Sequence, residues 1–446
     1  MIRMASTAVL ARLLTPADFG LVAMGTVVTG FVDVFRDGGL STATVQHERL
    51  THAHVSTLFW LNVVFGAVVM SIIAGLAPIL AWFYGEPRLV PLVLALAAMS
   101  LLGGFGIQHM ALLRRQMRFG AVAAIELSAM TVGASIASAM AWAGYSYWSL
   151  VAMTAANLIT AIALAWLTSG WIPGVPRRST GIGKLVLFGG HLAGYNAINY
   201  LARQADQFLI GWWWGAAPLG LYSKAYSLLT LPIAQFNLPI ESVTIPMLSR
   251  LRAEPNRYRA AFRRVVSILA WATIPLIGGL LVTSDWVVRL FLGPQWTAAT
   301  PIFLILGLCA PAQVMYNTAY WVLVSSGQGE RCLRMSLIAA GPLVASFLFG
   351  LPFGPKGVAG AYAITSSLIV SPLLFRYASC GSPIRQSDFY RAAVYPVLAA
   401  SGVVACVLVL RCLCGLSNPL AGIGVAFAVA LAVAACGVQA CIRRPQ

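Results

Sequence analysis

Residues 195–222, YNAINYLARQADQFLIGWWWGAAPLGLY, decide the reading of the fold. The stretch is apolar enough for a membrane, yet it carries Asn196, Asn199, Arg203 and Asp206 at steps of three, four and three residues. At 3.6 residues per turn those side chains fall on one helical stripe, with Arg203 and Asp206 within reach of each other. A polar stripe in hydrocarbon is costly unless it faces a bundle interior or a water-filled cavity, so the spacing predicts a membrane helix lining the path of a polar cargo. The competing account of Arg203 and Asp206 is a structural ion pair in which the acid only neutralises the cation.

The rest of the chain has the composition of such a helix. Of 446 residues, 59% are hydrophobic and 9% charged, with a mean hydropathy of +0.83. No soluble core needs that much apolar surface, so the class is an all-α polytopic membrane protein. The net charge of +17 comes from Lys and Arg in alternate short loops, an orientation signal rather than a nucleic-acid surface. The eight cysteines lie mostly in or beside apolar segments, which supports neither a disulfide framework nor a zinc site. His109 and His191 stand alone and read as hydrogen-bonded interior residues, so no metal is expected. The chain has no G-x-x-x-x-G-K-[ST] loop for ATP and no sizeable aqueous loop for a glycosyltransferase, polymerase or ligase, which favours a transporter over an enzyme. A structural scaffold for polysaccharide assembly would not need the charged stripe.

About fourteen transmembrane helices are expected, near 1–14, 19–43, 56–83, 89–113, 120–143, 147–167, 184–211, 219–248, 261–291, 298–325, 332–353, 357–377, 390–410 and 420–441. The first is truncated: its length gives roughly 20 Å against a hydrocarbon core of about 30 Å. Phe19-Gly20-Leu21 opens the second helix as Leu219-Gly220-Leu221 opens the eighth, and 144–153 resembles 354–363. That repeat, with the Pro/Gly/Arg-rich connection 170–183, predicts two parallel six-helix lobes, 1–170 and 171–380, plus two additional C-terminal helices in 381–446. Arg114, Arg115, Arg118, Arg177, Arg178 and the run Arg250 to Arg264 fall on one side, and the positive-inside rule places that side, with both termini, in the cytoplasm. The run Arg250 to Arg264 reads as a cytoplasmic anchor, and Trp212-Trp213-Trp214 as an interfacial one at the outer surface.

Several motifs give the chain a resemblance. LLTPADFGLVA (13–23), Asp37-Gly38-Gly39-Leu40, TLFWLN (57–62), NYLARQAD (199–206) and Leu219-Gly220-Leu221-Tyr222 resemble the polysaccharide transporter family, the Wzx-like flippases and teichuronic acid or exopolysaccharide exporters of the superfamily that also holds MurJ and MATE transporters. The resemblance implies a fourteen-helix fold that moves a polyprenyl-pyrophosphate-linked oligosaccharide from the cytoplasmic to the outer leaflet of the bacterial inner membrane. Lipopolysaccharide or exopolysaccharide biosynthesis is the implied setting. The alternative within the superfamily is a cation-coupled drug antiporter, whose cavity would favour lone acids near aromatics.

A lipid-linked sugar offers an anionic pyrophosphate and many hydroxyls, which call for cations and hydrogen-bonding side chains. Arg36, Arg203 and Lys224 are the candidate cations; Asn196, Asn199, Gln235, Asn237, Gln313, Asn317 and Tyr320 are the candidate sugar contacts. Asp33, Arg36 and Asp37 are equally explained by snorkelling to an interface, as is Lys224, and Asp33, Asp37 and Asp206 by structural pairing with the cations. Glu126, read as a buried acid, and Glu241, between Pro239 and Pro246 where a bend is expected, are candidates for proton or ion coupling. Glu126 is equally explained by a bond to Ser or Thr across a helix interface, and Glu241 by a gating role or by hydrogen bonding to backbone freed by the prolines. No cofactor is expected beyond a proton or sodium gradient. The expected partners are an undecaprenyl-pyrophosphate-type lipid-linked oligosaccharide, the phospholipid bilayer and polysaccharide polymerase or assembly proteins, and no nucleic acid.

Overall fold

The computed structural model describes residues 2–37, 51–175, 200, 204–413 and 419–443, with the backbone alone at 3, 33–37 and 329. Every regular element among the described residues is a helix. In order these are α1 (Ile2–Leu13), α2 (Pro16–Asp37), α3 (His52–Tyr84), α4 (Leu89–Arg115), α5 (Phe119–Trp142), α6 (Trp148–Ser169) and α7 (204–214). They continue with α8 (Ala216–Arg250), α9 (Pro255–Val282), α10 (Ser284–Phe291), α11 (Ala299–Leu308), α12 (Ala310–Ser325), α13 (Gly329–Gly350), α14 (Gly354–Thr365), α15 (Ser371–Ser379), α16 (Gln386–Leu413) and α17 (Pro419–Arg443). Among the described residues, nine helical spans are long and apolar enough to cross a membrane, and ten if the bent pair α11–α12 is one span. The protein is a multi-pass membrane protein.

Local chemistry sets the helix ends. Thr15 and Asp18 form a capping box at the start of α2: the Thr15 N–H donates to Asp18 Oδ2 (2.9 Å) and the Asp18 N–H to Thr15 Oγ1 (3.3 Å), with Pro16 supplying a φ already suited to a first turn. The Ser146 hydroxyl donates to the other Asp18 oxygen and ties the turn between α5 and α6 to the same point. α3 starts on a second capping box, Thr51 with His54, and stops at Gly85, whose φ of 66° is left-handed.

Three expected spans are not continuous. The tenth bends by 50° between α11 and α12, where Pro311 has no N–H to give the Gly307 carbonyl. The ninth ends at Val282 and restarts as α10. The twelfth contains a π turn, Ser366–Val370, next to Pro372, and there the Ser371 hydroxyl donates to the Ser366 carbonyl (2.7 Å).

The chain forms two compact units, Met1–Gly220 and Leu221–Gln446. In the first, the opening turn of α2 crosses the first turn of α8 at two matching glycines. A Cβ on Gly20 would stand 1.7 Å from the Ala216 carbonyl oxygen, and one on Gly220 would stand 1.8 Å from that of Pro16. Only glycine permits this approach, so each copy of the repeated motif makes room for the backbone beside the other. Elsewhere in this unit the segment after α6 lies along the start of α3. His52 Nε2 donates to the Ile172 carbonyl (3.1 Å), the Gly174 N–H to Ser56 Oγ (2.9 Å) and Trp60 Nε1 to the Gly174 carbonyl (3.0 Å).

The second unit is built around α9, which packs on α16 and α17 through Leu276, Val403, Val407, Ala426 and Ala430. Ion pairs hold α16 at both ends. Asp388, fully buried, takes a bidentate contact from Arg259 (2.7 and 3.0 Å) and a longer one from Arg263 (3.6 Å). At the far end Arg411 pairs with Asp285 (2.5 Å) and lies 4.1 Å over the Trp286 ring. Arg264 donates to the Ile442 carbonyl of α17 (2.6 Å). Three arginines of the basic run therefore fasten the C-terminal helix pair to α9.

Candidate functional site

The stripe that opened the reading is described in part. Asn196, Asn199 and Arg203 lie outside the described residues. Asp206 lies on α7, buried to 4% exposure, and its Oδ1 accepts the Gln207 backbone N–H (2.7 Å). Eight residues separate it from Trp214, so it lies roughly 12 Å along the helix from the end of the exposed run of tryptophans 212–214. Phe83 at the end of α3 stacks on Phe208 and Trp212, at ring separations of 5.2 and 5.6 Å, and this fixes the outer turns of α7.

Three further polar side chains of this segment form a ladder. Gln207 Nε2 donates to Gln204 Oε1 (2.8 Å), Gln204 Nε2 to the Tyr200 hydroxyl (3.5 Å), and that hydroxyl to the Thr26 carbonyl of α2 (3.1 Å). The Tyr200 hydroxyl fits because Gly30 has no side chain; a Cβ there would be 2.3 Å from it. Tyr200 thus meets α2 at the Thr26 carbonyl and Gly30, inside the first unit. Tyr200, Gln204 and Gln207 were not among the residues singled out from the sequence. Their spacing of four and three is the same signal that marked Asn196 to Asp206.

In the second unit, Gln313 Nε2 donates to the Tyr362 hydroxyl (3.1 Å) and contacts Cys309 Sγ (3.5 Å), beside the bend between α11 and α12. Tyr226 and Phe347 flank the Tyr362 ring, at centroid separations of 6.4 and 5.8 Å. Asn317, one turn beyond Gln313, is half-buried, as is Lys224 on α8. Bent and π-helical backbone beside a half-buried hydroxyl and amide is the arrangement that transport proteins use to present polar groups inside a membrane.

The remaining candidates are less concentrated. Asp33, Arg36 and Asp37 lie in the last turns of α2, where only the backbone is described. Glu126 is not buried: its side chain is 55% exposed and pairs with Arg114 (3.4 Å). It stands only seven residues into α5, close enough to the arginine-rich turn before that helix for Arg114 to reach it. Glu241 is half-buried in α8 with no ion pair among the described residues. His109 differs from its reading as a hydrogen-bonded residue. It is fully buried with both ring nitrogens unpartnered; the carbonyls of Phe105 and Trp171 lie beside it outside normal hydrogen-bond geometry. Instead its ring stacks on Trp166 at 4.3 Å, with Trp171 and Phe59 edge-on. His191 lies outside the described residues. Among the described residues no group of His, Cys, Asp or Glu is arranged to hold a metal ion.

The chain is similar to known proteins along most of its length. A family described as polysaccharide biosynthesis proteins matches residues 9–301. The teichuronic acid biosynthesis protein TuaB of Bacillus subtilis (strain 168) is 27% identical over 420 residues, covering 91% of this chain and 84% of TuaB. The lipopolysaccharide biosynthesis protein WzxC of Escherichia coli (strain K12) is 23% identical over 399 residues, covering 88% of this chain and 77% of WzxC. Among solved structures, the lipid II flippase MurJ in an inward closed conformation superposes with a TM-score of 0.77 at 14% identity, covering 99% of this chain and 98% of MurJ. At that identity the likeness is one of fold.

Proposed function

Because the chain belongs to the polysaccharide biosynthesis protein family, we propose that it is a flippase. Its cargo is a polyprenyl-pyrophosphate-linked oligosaccharide, which it moves from the cytoplasmic to the outer leaflet of the bacterial inner membrane. The observation that carries this reading is the polar content of α7: a buried carboxylate and an amide–hydroxyl ladder at membrane depth, docked on α2. A protein that only anchored or scaffolded other components would have no use for such groups in hydrocarbon. The MurJ-like fold and the relatives named for teichuronic acid and lipopolysaccharide biosynthesis support the same reading. It is a transport protein and not an enzyme.

In this mechanism Arg203 receives the pyrophosphate, with Arg36 and Lys224 as further cations on its path. Bidentate guanidinium–phosphate hydrogen bonds in a water-poor setting are the strongest contacts available to such a cargo. Asn196, Asn199, Gln313 and Asn317 hydrogen-bond the sugar. Asp206 and Asp37 keep the empty path close to neutral, so that the cations remain tolerable between cycles. A proton or sodium gradient drives the return of the empty protein, with Glu241 as the candidate coupling group. Both termini face the cytoplasm, and the polymerase that extends the sugar is a candidate partner on the outer side.

Deleting the gene in its host and separating the lipid-linked intermediates by leaflet tests the reading. Full-length oligosaccharide on its carrier should accumulate on the cytoplasmic side and clear when the gene is restored. Loss of a sugar from the oligosaccharide would point to an enzyme, and unchanged export would remove the protein from the pathway.

A further inference from the structure

We propose that Gln204 and Gln207, held in place by Tyr200, form a sugar-recognition rail on α7 that reads hydroxyl groups of the cargo separately from its pyrophosphate. This inference rests on the flippase reading and adds a specificity element to it.

The chemistry of the ladder leads there. A primary amide has two N–H donors and an oxygen with two lone pairs. Gln204 spends one donor on Tyr200 and one lone pair on Gln207; Gln207 spends one donor on Gln204. Each amide therefore keeps a donor and an acceptor, one turn apart on the same face. Neighbouring sugar hydroxyls, each both donor and acceptor, are complementary to that alternation. A phosphate, which only accepts, would leave half of it unused.

Position and rigidity agree. Both glutamines are half-buried, about 10–15 Å below the tryptophans at the end of α7 by helical rise. At that depth an amide open to acyl chains would be costly, so the open side faces water. The chain of hydrogen bonds ends on the backbone of α2 through the seat left by Gly30, so the rotamers are set before a ligand arrives and little side-chain entropy remains to be lost. Asp206, adjacent to Gln207, is buried, which withdraws its carboxylate from the open face of the amides. Structural pairing of α7 with α2 needs only the Tyr200 hydroxyl and the Thr26 carbonyl; it gives no role to Gln207 at the far end.

The test uses the full-length protein in lipid nanodiscs with two probes: undecaprenyl pyrophosphate, and the undecaprenyl-pyrophosphate-linked oligosaccharide extracted from the deletion strain. Wild type should prefer the glycosylated lipid. Gln204→Met and Gln207→Met preserve side-chain length and so spare the fold; each should weaken binding of the glycosylated lipid about tenfold, the size expected for a lost hydrogen bond, and leave the bare carrier unchanged. Tyr200→Phe cuts the tie to α2 and keeps both amides, and should lower thermal stability by more than either methionine variant does. Equal weakening of both lipids, or of neither, by the methionine variants overturns the rail. Wild type binding both lipids equally overturns the rail and leaves the flippase reading standing. Wild type binding neither overturns both.

Discussion

Asp388 and Arg203 pose the same problem, a charge placed in or beside hydrocarbon, with different predicted answers. Asp388 is fully buried and satisfied by Arg259, Arg263 and the Arg385 N–H. Removing the closer arginine leaves the buried Asp388 carboxylate without its bidentate partner, so Arg259→Ala should lower the unfolding midpoint of the detergent-solubilised protein, and by more than Arg263→Ala, whose contact is longer and more exposed. For Arg203 the expected loss is in transport. Arg203→Ala should abolish polysaccharide export with the protein still inserted, Arg203→Lys should retain part of it, and adding Asp206→Ala should not rescue it. Full export by the double alanine variant would reduce the pair to structure. Legibility at this scale followed sequence distance. The Asn196–Asp206 stripe showed because its members are close in sequence at helical spacing, and the same rule would have found Gln204 and Gln207. The tie between Asp388 and Arg259 joins residues 129 apart, and no local pattern announces it. Glu126 misled because its apolar neighbours imply burial, whereas its side chain is exposed and pairs with Arg114.

At the scale of elements, the crossing of α2 and α8 is the contact least tolerant of change. A methyl on Gly20 or Gly220 would meet a carbonyl oxygen at less than 2 Å, so Gly20→Ala and Gly220→Ala should each force the helices apart and reduce both membrane abundance and export. Because either methyl opens the same contact, the double variant should be little worse than each single one; additive losses would mean that the two glycines act at independent places. Most helices were legible from apolar length, with ends displaced by a few residues. The breaks in α11–α12 and at the π turn were not, although Pro311 and Pro372 stand beside them. In membrane helices proline is common enough to sit within a continuous helix, as α8 does with Pro232, Pro239 and Pro246. TLFWLN at 57–62 was legible as a motif and not as a function: Phe59 packs against Trp171 and Trp60 bonds Gly174, so part of it seats the segment that follows α6.

For the whole molecule, arginine distribution predicts topology. Reporter fusions after Arg118, Arg178 and Arg264 should read cytoplasm, and those near Glu86, Gly144 and Gly354 the outside; the reverse pattern would sink the parallel-lobe alignment. The repeat in sequence suggested a division at 170, between two sets of six helices. Compactness divides the chain elsewhere, at Gly220 within α8, because α7 packs on α2 and α3. Sequence periodicity cannot report that difference, since it records which segments are copies and not which ones touch. The docking of α7 on α2 also has a consequence for synthesis. When the ribosome delivers the segment bearing Arg203, Gln204, Asp206 and Gln207 to the insertion machinery, α2 has already been synthesised, with one lone pair of the Thr26 carbonyl and the notch at Gly30 open. The most polar span of the first unit thus emerges last, onto a surface already shaped to receive it, and a ribosome stalled just after Trp214 should hold a nascent chain whose Tyr200 can already be crosslinked to α2.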